Sequence, residues 1–137
     1  MTAVSINGLI EQMIYTALTR NSGLMGIVAG VYDTHLPPGT TGTNCVFQYT
    51  SGGDENFNLR ASATVKYRIE VISTSRASAI AGSAAIYDAM LQAPPPAISG
   101  WTTWRIEQNE LFNQVEDVLG VIWYRKGGFW QISIDNA

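Results

Sequence analysis

The residues able to do chemistry are few, and their spacing works against it. His35 is the only histidine and Cys45 the only cysteine of the 137-residue chain. A histidine-based metal cluster is therefore out of reach, and a single thiol cannot complete a zinc site. His35 falls in the stretch Asp33 to Thr43, which holds two prolines and two glycines, and reads as an exposed loop histidine. Cys45 stands in an alternating run, where a cysteine behaves as a small buried hydrophobe. Nothing near either residue resembles the base and base-orienting group that an activated nucleophile needs.

Acidic residues and glycines come no closer to a site. Glu116 and Asp117 are adjacent, with Glu107 and Glu110 upstream, and paired carboxylates can do acid–base work or hold a divalent ion. No D-x-D-x-D-G spacing accompanies them, so they read as a solvated surface. Gly23, Gly26 and Gly30 form neither a dinucleotide fingerprint nor a P-loop. In "TSGGDEN" the paired glycines precede two acids that would repel a phosphate. The expectation is a protein that is not an enzyme, with no catalytic residues, no cofactor and no metal.

One stretch could still bind nucleic acid. "IWYRKGGFWQISI" (Ile122 to Ile134) sets Arg125 and Lys126 among aromatics. Against that, the net charge is −3 and the eight basic residues are scattered, whereas backbone binding needs clustered cations. The reading adopted is a closing β-hairpin, in which Gly127 and Gly128 supply the positive φ of a tight turn. Arg125 and Lys126 then sit at its tip, and Trp130, Ile132 and Ile134 share a core face. Replacing both cations with Glu is expected to leave the fold intact and to weaken assembly.

The elements that must position these residues follow from periodicity. Ile6, Leu9, Ile10, Met13, Ile14, Ala17 and Leu18 recur at helical spacing, Ser5 or Asn7 can cap the start, and "RNSG" supplies a stop. Val28 to Tyr32 reads as a short strand. "NCVFQYT" alternates, with Cys45, Phe47 and Tyr49 on one face. "SGGDENFNLRA" reads as a mobile polar connection. "ATVKYRIEVIS" is the cleanest period-2 run, with Ala63, Val65, Tyr67, Ile69 and Val71 facing one way.

A second helix, "SRASAIAGSAAIYDAML", begins near Ser75 or Ser78 and is built of small residues that let it approach a sheet closely. Ile80, Tyr87 and Leu91 form one row on it, Ile86 and Met90 another. "QAPPPAISG" ends it. "WTTWRIEQNEL" is a strand, and "FNQVEDVLG" either a short irregular turn or its continuation. This order predicts an α+β domain with a mostly antiparallel β-sheet and two main helices packed on one face.

Composition sets the context. The chain is 46% apolar and only 14% charged, against roughly 25% charged for an average soluble domain. A weakly repelling surface rich in Thr, Ser, Asn and Gly suits a protein that lives against partners. No apolar run approaches the roughly 18 residues of a spanning helix, so no membrane association is expected. The opening "MTAVSINGLIEQM" lacks the basic and apolar blocks of a signal peptide, and a lone cysteine forms no internal disulfide. A cytosolic origin is the expectation.

Taken together, "LIEQMIYTAL", "GVYDTHLPP", "CVFQY", "ATVKYRIEVIS" running into "SRASAIAGSAAIYDAML", and the closing "WYRKGGFWQISI" resemble the tailed-bacteriophage tail-completion family. Its members are also called tail terminators or head–tail joining proteins. The resemblance spans roughly Ile6 to Ile134. The chain departs from the family pattern before "CVFQY", where "TGTN" replaces a proline that commonly introduces the strand.

The resemblance implies one tail-terminator-like domain over residues 1–137. It also implies a homo-oligomeric ring, typically a hexamer, that caps the tail tube, stops its polymerisation and offers a surface to the head-side connector or neck. Its partners would be further copies of itself, the tail tube protein and that connector, with genome DNA passing through without specific binding. Its place would be the head–tail interface of the virion, after assembly in the host cytoplasm. Candidate interface residues are Ser51, Gly52, Gly53, Asp54, Glu55 and Asn56, in a loop Ser51 to Asn58 expected to order on contact, with Arg125 and Lys126 at the hairpin tip. Other readings are a different neck or tail-tube component of similar fold, or a module binding a small ligand or peptide.

Overall fold

A computed structural model describes residues 6–57, 60–92, 94–98 and 100–136. The elements are α1 (Ile6–Thr19), α2 (Ser22–Met25), β1 (Val31–Asp33), β2 (Asn44–Phe57), β3 (Arg60–Ser73), α3 (Arg76–Met90), β4 (Trp101–Val118) and β5 (Val121–Asn136). The strands form one sheet in the order β1-β2-β3-β5-β4. Among the described residues β1 and β2 run parallel, and the β2–β3, β3–β5 and β4–β5 pairings are antiparallel. The fold is α+β, as the periodicity predicts.

The central strand explains the layering. Ala63, Val65, Tyr67, Ile69 and Val71 of β3 are all fully buried on the face that the helices cover. Beside them on β5 lie Trp130, Ile132 and Ile134, also fully buried. Ile10, Met13, Ile14, Ala17 and Leu18 of α1 close the core from above, together with Ile86 and Met90 of α3. Each of these larger side chains contributes roughly 1.5–3 kcal/mol by leaving water.

Helix α3 lies close to the sheet because it is built of small residues. A Cβ on Gly82 would stand 2.7 Å from a Val71 methyl. Ser75 caps the helix, its hydroxyl accepting from the Ser78 amide at 3.2 Å. Ile86 and Met90 face the core, and the row Ile80, Tyr87 and Leu91 is left exposed.

Several sequence expectations change. Asn7 lies within α1, and Ser5 is outside the described residues. The "RNSG" stop opens a second, short helix, with the Asn21 side chain accepting from the Leu24 amide at 2.8 Å. The short strand is Val31–Asp33, and Val28 is a core residue instead.

"SGGDENF" is not a loop: Ser51 to Phe57 continue β2 and pair with β3 from Lys66 to Arg60. Gly, Asp and Asn are poor strand formers, but pairing with a regular neighbour overrides propensity. Asn58 lies outside the described residues.

The largest correction concerns the C-terminal stretch. Arg125 to Gly128 lie in the middle of β5, paired with β3 on one side and β4 on the other. Neither Gly127 nor Gly128 has a positive φ. The reversal is at Leu119 and Gly120, with φ of 53° and 84°. Positive φ at both central residues is the signature of the tight hairpin turn that matches strand twist, and Asp117 Oδ1 accepts from the Gly120 amide at 3.0 Å.

Gly127 and Gly128 serve close approach instead. A Cβ on Gly127 would stand 2.0 Å from the Ile69 carbonyl oxygen, and one on Gly128 2.7 Å from that of Glu110. "FNQVEDV" is thus strand, and β4–β5 is one long hairpin. Tyr124 is the last β5 residue paired with β3, so the hairpin runs on past the sheet as a two-stranded arm.

Candidate interaction surfaces

Arg125 is the anchor of a charge network on the sheet face away from the helices. Glu70, with its side chain only 3% exposed, receives Arg68 at 2.8 Å on one oxygen and Arg125 on the other. Arg125 also reaches Glu116 at 3.2 Å. Burial works against the Arg125 charge, but its bonds to Glu70 and then Glu116 outweigh this and hold its pKa above the ordinary arginine value. Arg68 lies 4.3 Å over the Phe112 ring, which packs on Phe129. Two cations and two anions cancel here, so Arg125 is a structural counter-ion and not a tip residue.

Lys126 points to the opposite face. It lines a groove of about 330 Å³ with Ile80, Ser83, Leu111 and Asn113. A second lobe of about 470 Å³ shares Ile80, Ser83 and Leu111 and adds Tyr87, Asp88 and Gln108. The groove exists because α3 packs over β3 and β5 and leaves the same face of β4 open around Leu111 and Asn113.

The other candidate residues lie elsewhere. Ser51 and Gly52 are exposed on β2, where the pairing register shifts between Tyr49 and Ser51. Gly52 has φ 111°, and a Cβ there would meet the Thr64 carbonyl oxygen at 2.3 Å. Gly53, Asp54, Glu55 and Asn56 follow in β2; their side chains are outside the described residues. Gly52 is level with Ile132 through Val65, seven residues along β5 from Arg125, roughly 23 Å at strand rise. The two halves of the expected interface are therefore separate surfaces.

Composition-based reasoning missed the arm. Among the described residues, eleven large hydrophobic side chains are exposed, and six of them are Leu111, Val115, Val118, Leu119, Val121 and Ile122. Three more, Ile80, Tyr87 and Leu91, form the outer row of α3. The available signal was an apolar residue on both faces of a strand pair, combined with a leucine in a turn.

The sheet also has two open edges. β4 is the last strand, with β5 its one partner among the described residues. On the opposite side β1 covers β2 only at Cys45 to Phe47, with Thr34 donating to the Phe47 carbonyl at 2.8 Å. From Gln48 onward the β2 edge has no neighbouring strand among the described residues.

The nucleophile candidates are buried or isolated. Cys45 is fully buried, and burial, then the nearby Glu70 charge, push its thiol well above the ordinary range. Tyr67 is likewise pushed up by burial and donates weakly to Glu11 at 3.4 Å. His35 is exposed. Among the described residues no group of three His, Cys, Asp or Glu could hold a metal ion, and no helix is long and apolar enough to cross a membrane.

No family model matches the chain, and no curated relative does. A solved structure does match: a chain from the virion of a native gene transfer agent particle, with a TM-score of 0.77 and 20% identity. The match covers 98% of this chain and 100% of that one. The two chains share a fold.

Proposed function

We propose that the protein is a structural component of a virion, and that it works as a tail terminator: a ring of copies closing the end of a tail tube and presenting a surface to the head-side connector. The shared fold with a virion chain supports the broader reading. The observation that carries the ring is the pair of open sheet edges. Gln48 is level with Glu110 through Arg68 and Phe129, and Glu55 is level with Thr102 through Ser62 and Asp135. The uncovered stretch of β2 and the lower half of β4 therefore stand at the same height on opposite sides of one sheet.

Strand direction makes the edges compatible. β2, β3, β5 and β4 alternate, so β2 and β4 run in opposite directions. A second copy placed alongside in the same orientation brings its β2 edge antiparallel to this β4 edge. Repeating that step is a heterologous contact, which closes into a ring when the rotation allows. It also removes the unpaired edges that an isolated subunit exposes. The role is one of assembly and not of catalysis, and passing DNA meets a chain of net charge −3 whose Arg68 and Arg125 are already paired.

Native mass spectrometry and negative-stain imaging of the purified protein, with and without tail tubes, test this. Closed rings of fixed size, alone or on tube ends, are expected. A strict monomer at high concentration that ignores tubes overturns the ring. Long tubes formed by the protein alone point instead to a tail-tube subunit.

A further inference from the structure

The β4–β5 arm carries a surface that the ring edges do not use. Beyond the Ser73–Tyr124 pair it consists of Glu116 to Val118, the Leu119–Gly120 turn, and Val121 to Trp123. Ile122 lies on one face, continued by Val115 at the arm's base, and Val118 and Val121 lie on the other; all four are exposed. A two-stranded ribbon alone is marginal in water, and this one is apolar on both sides.

Leu119 is the most telling residue. It is fully exposed and held at φ 53°, in a turn position that favours Asn or Gly. A bulky residue in left-handed backbone costs free energy without folding benefit, and such strain collects at functional contacts. A contact outside the chain accounts for a leucine there.

We propose that this contact is a second copy of the same chain: the apolar arm of one copy seats in the groove between α3 and β4 of another. The proposal rests on the self-assembly reading above and adds a second contact to it. Donor and acceptor are both present on one molecule, which is what a heterologous contact requires. Ile80, Tyr87 and Leu111 give the groove apolar surface for the arm, with Asn113, Gln108 and Ser83 as its polar lining.

Charge fits as well. Of the two charged residues between Val115 and Tyr124, Glu116 is already paired with Arg125, so Asp117 is the acid left to meet a partner. Lys126 lines the groove, and Arg76 lies one helical turn before Ile80; neither makes an ion pair among the described residues. Asp88 stands in the far lobe, away from Lys126, which favours entry of the acidic tip from the Lys126 side.

Buried Cys45 makes a clean test possible, because it leaves introduced thiols as the reactive ones. Ile80→Cys and Leu119→Cys are made as two single variants and treated, separately and mixed, with a short bis-maleimide. Each variant alone is expected to stay unlinked, and the mixture to give a covalent dimer joining residue 80 of one copy to residue 119 of another. Native mass spectrometry of the same samples reports assembly independently. Rings without the mixed cross-link overturn the arm contact and leave the ring standing; so do cross-links formed by either variant alone. Monomers throughout, with the unsubstituted protein monomeric as well, overturn the self-assembly reading itself; rings of the unsubstituted protein lost in both variants support the contact.

Discussion

Arg125 shows how a residue's role follows from its neighbours more than from its type. Its guanidinium faces Glu70, whose side chain is almost wholly buried, and Glu116. Arg125→Glu would leave three carboxylates about one site with Arg68 as the remaining cation, and removing one partner of a buried pair costs about 3–5 kcal/mol. A drop of that size in urea-unfolding stability is expected, contrary to the intact fold that a tip position implies. Lys126→Glu, on the groove side with no ion pair among the described residues, should stay within about 0.5 kcal/mol.

Glu11 gives a pH-dependent case at the same scale. Burial, then the charge of Asp33, raises its pKa above the ordinary 4.5, and the Tyr67 hydroxyl only partly offsets them. The folded state thus favours the protonated carboxyl, so its contribution is fully present below the ordinary value and lost as pH rises through the folded one. Glu11→Gln should therefore melt higher than the parent at pH 7, with the gap closing toward pH 4. A gap that widens on acidification would reverse the assignment.

Elements were read well where periodicity had one meaning and badly where a glycine had two. The alternation of β3 and the 3.6-residue stripe of α1 each correspond to one buried face, and those faces are where the core lies. "RKGG" and "VLG" were harder. Glycine is needed both where φ is positive and where a backbone leaves no room for a Cβ, and a sequence does not separate the two uses.

Gly127 and Gly128 are of the second kind, at the close approach of β5 to β3 and β4, while the turn carries a leucine that turn chemistry does not lead one to expect. That leucine supplies the element-scale prediction. Leu119→Asn relieves left-handed strain worth about 1 kcal/mol and removes a side chain that touches nothing in its own chain. The variant should gain stability by urea unfolding of the dissociated subunit while losing self-association. Loss of subunit stability would mean that Leu119 serves the fold of its own hairpin.

At the scale of the whole molecule, the layer arrangement was legible because burial within one chain is written in that chain's own periodicity. Assembly surfaces are not written that way. Val118, Val121 and Ile122 look like ordinary strand residues, and what sets them apart is that β5 outlasts β3 by several residues, a property of strand lengths and register. The same holds for the β2 edge, which is open because β1 is only three residues long.

The consequence is measurable by hydrogen exchange. In the dissociated subunit the arm has strand pairing but no covering layer, so the amides of 116–123 should open locally at little cost and exchange early. The amides of β3, between two strands and under two helices, should exchange only on global unfolding. Seating the arm against another copy covers its apolar faces, so its amides should slow by at least tenfold on assembly while those of β3 change little. Slowing confined to the β2 and β4 edges, with the arm equally fast in both states, would show a ring held by sheet edges alone and an arm left free for a different protein.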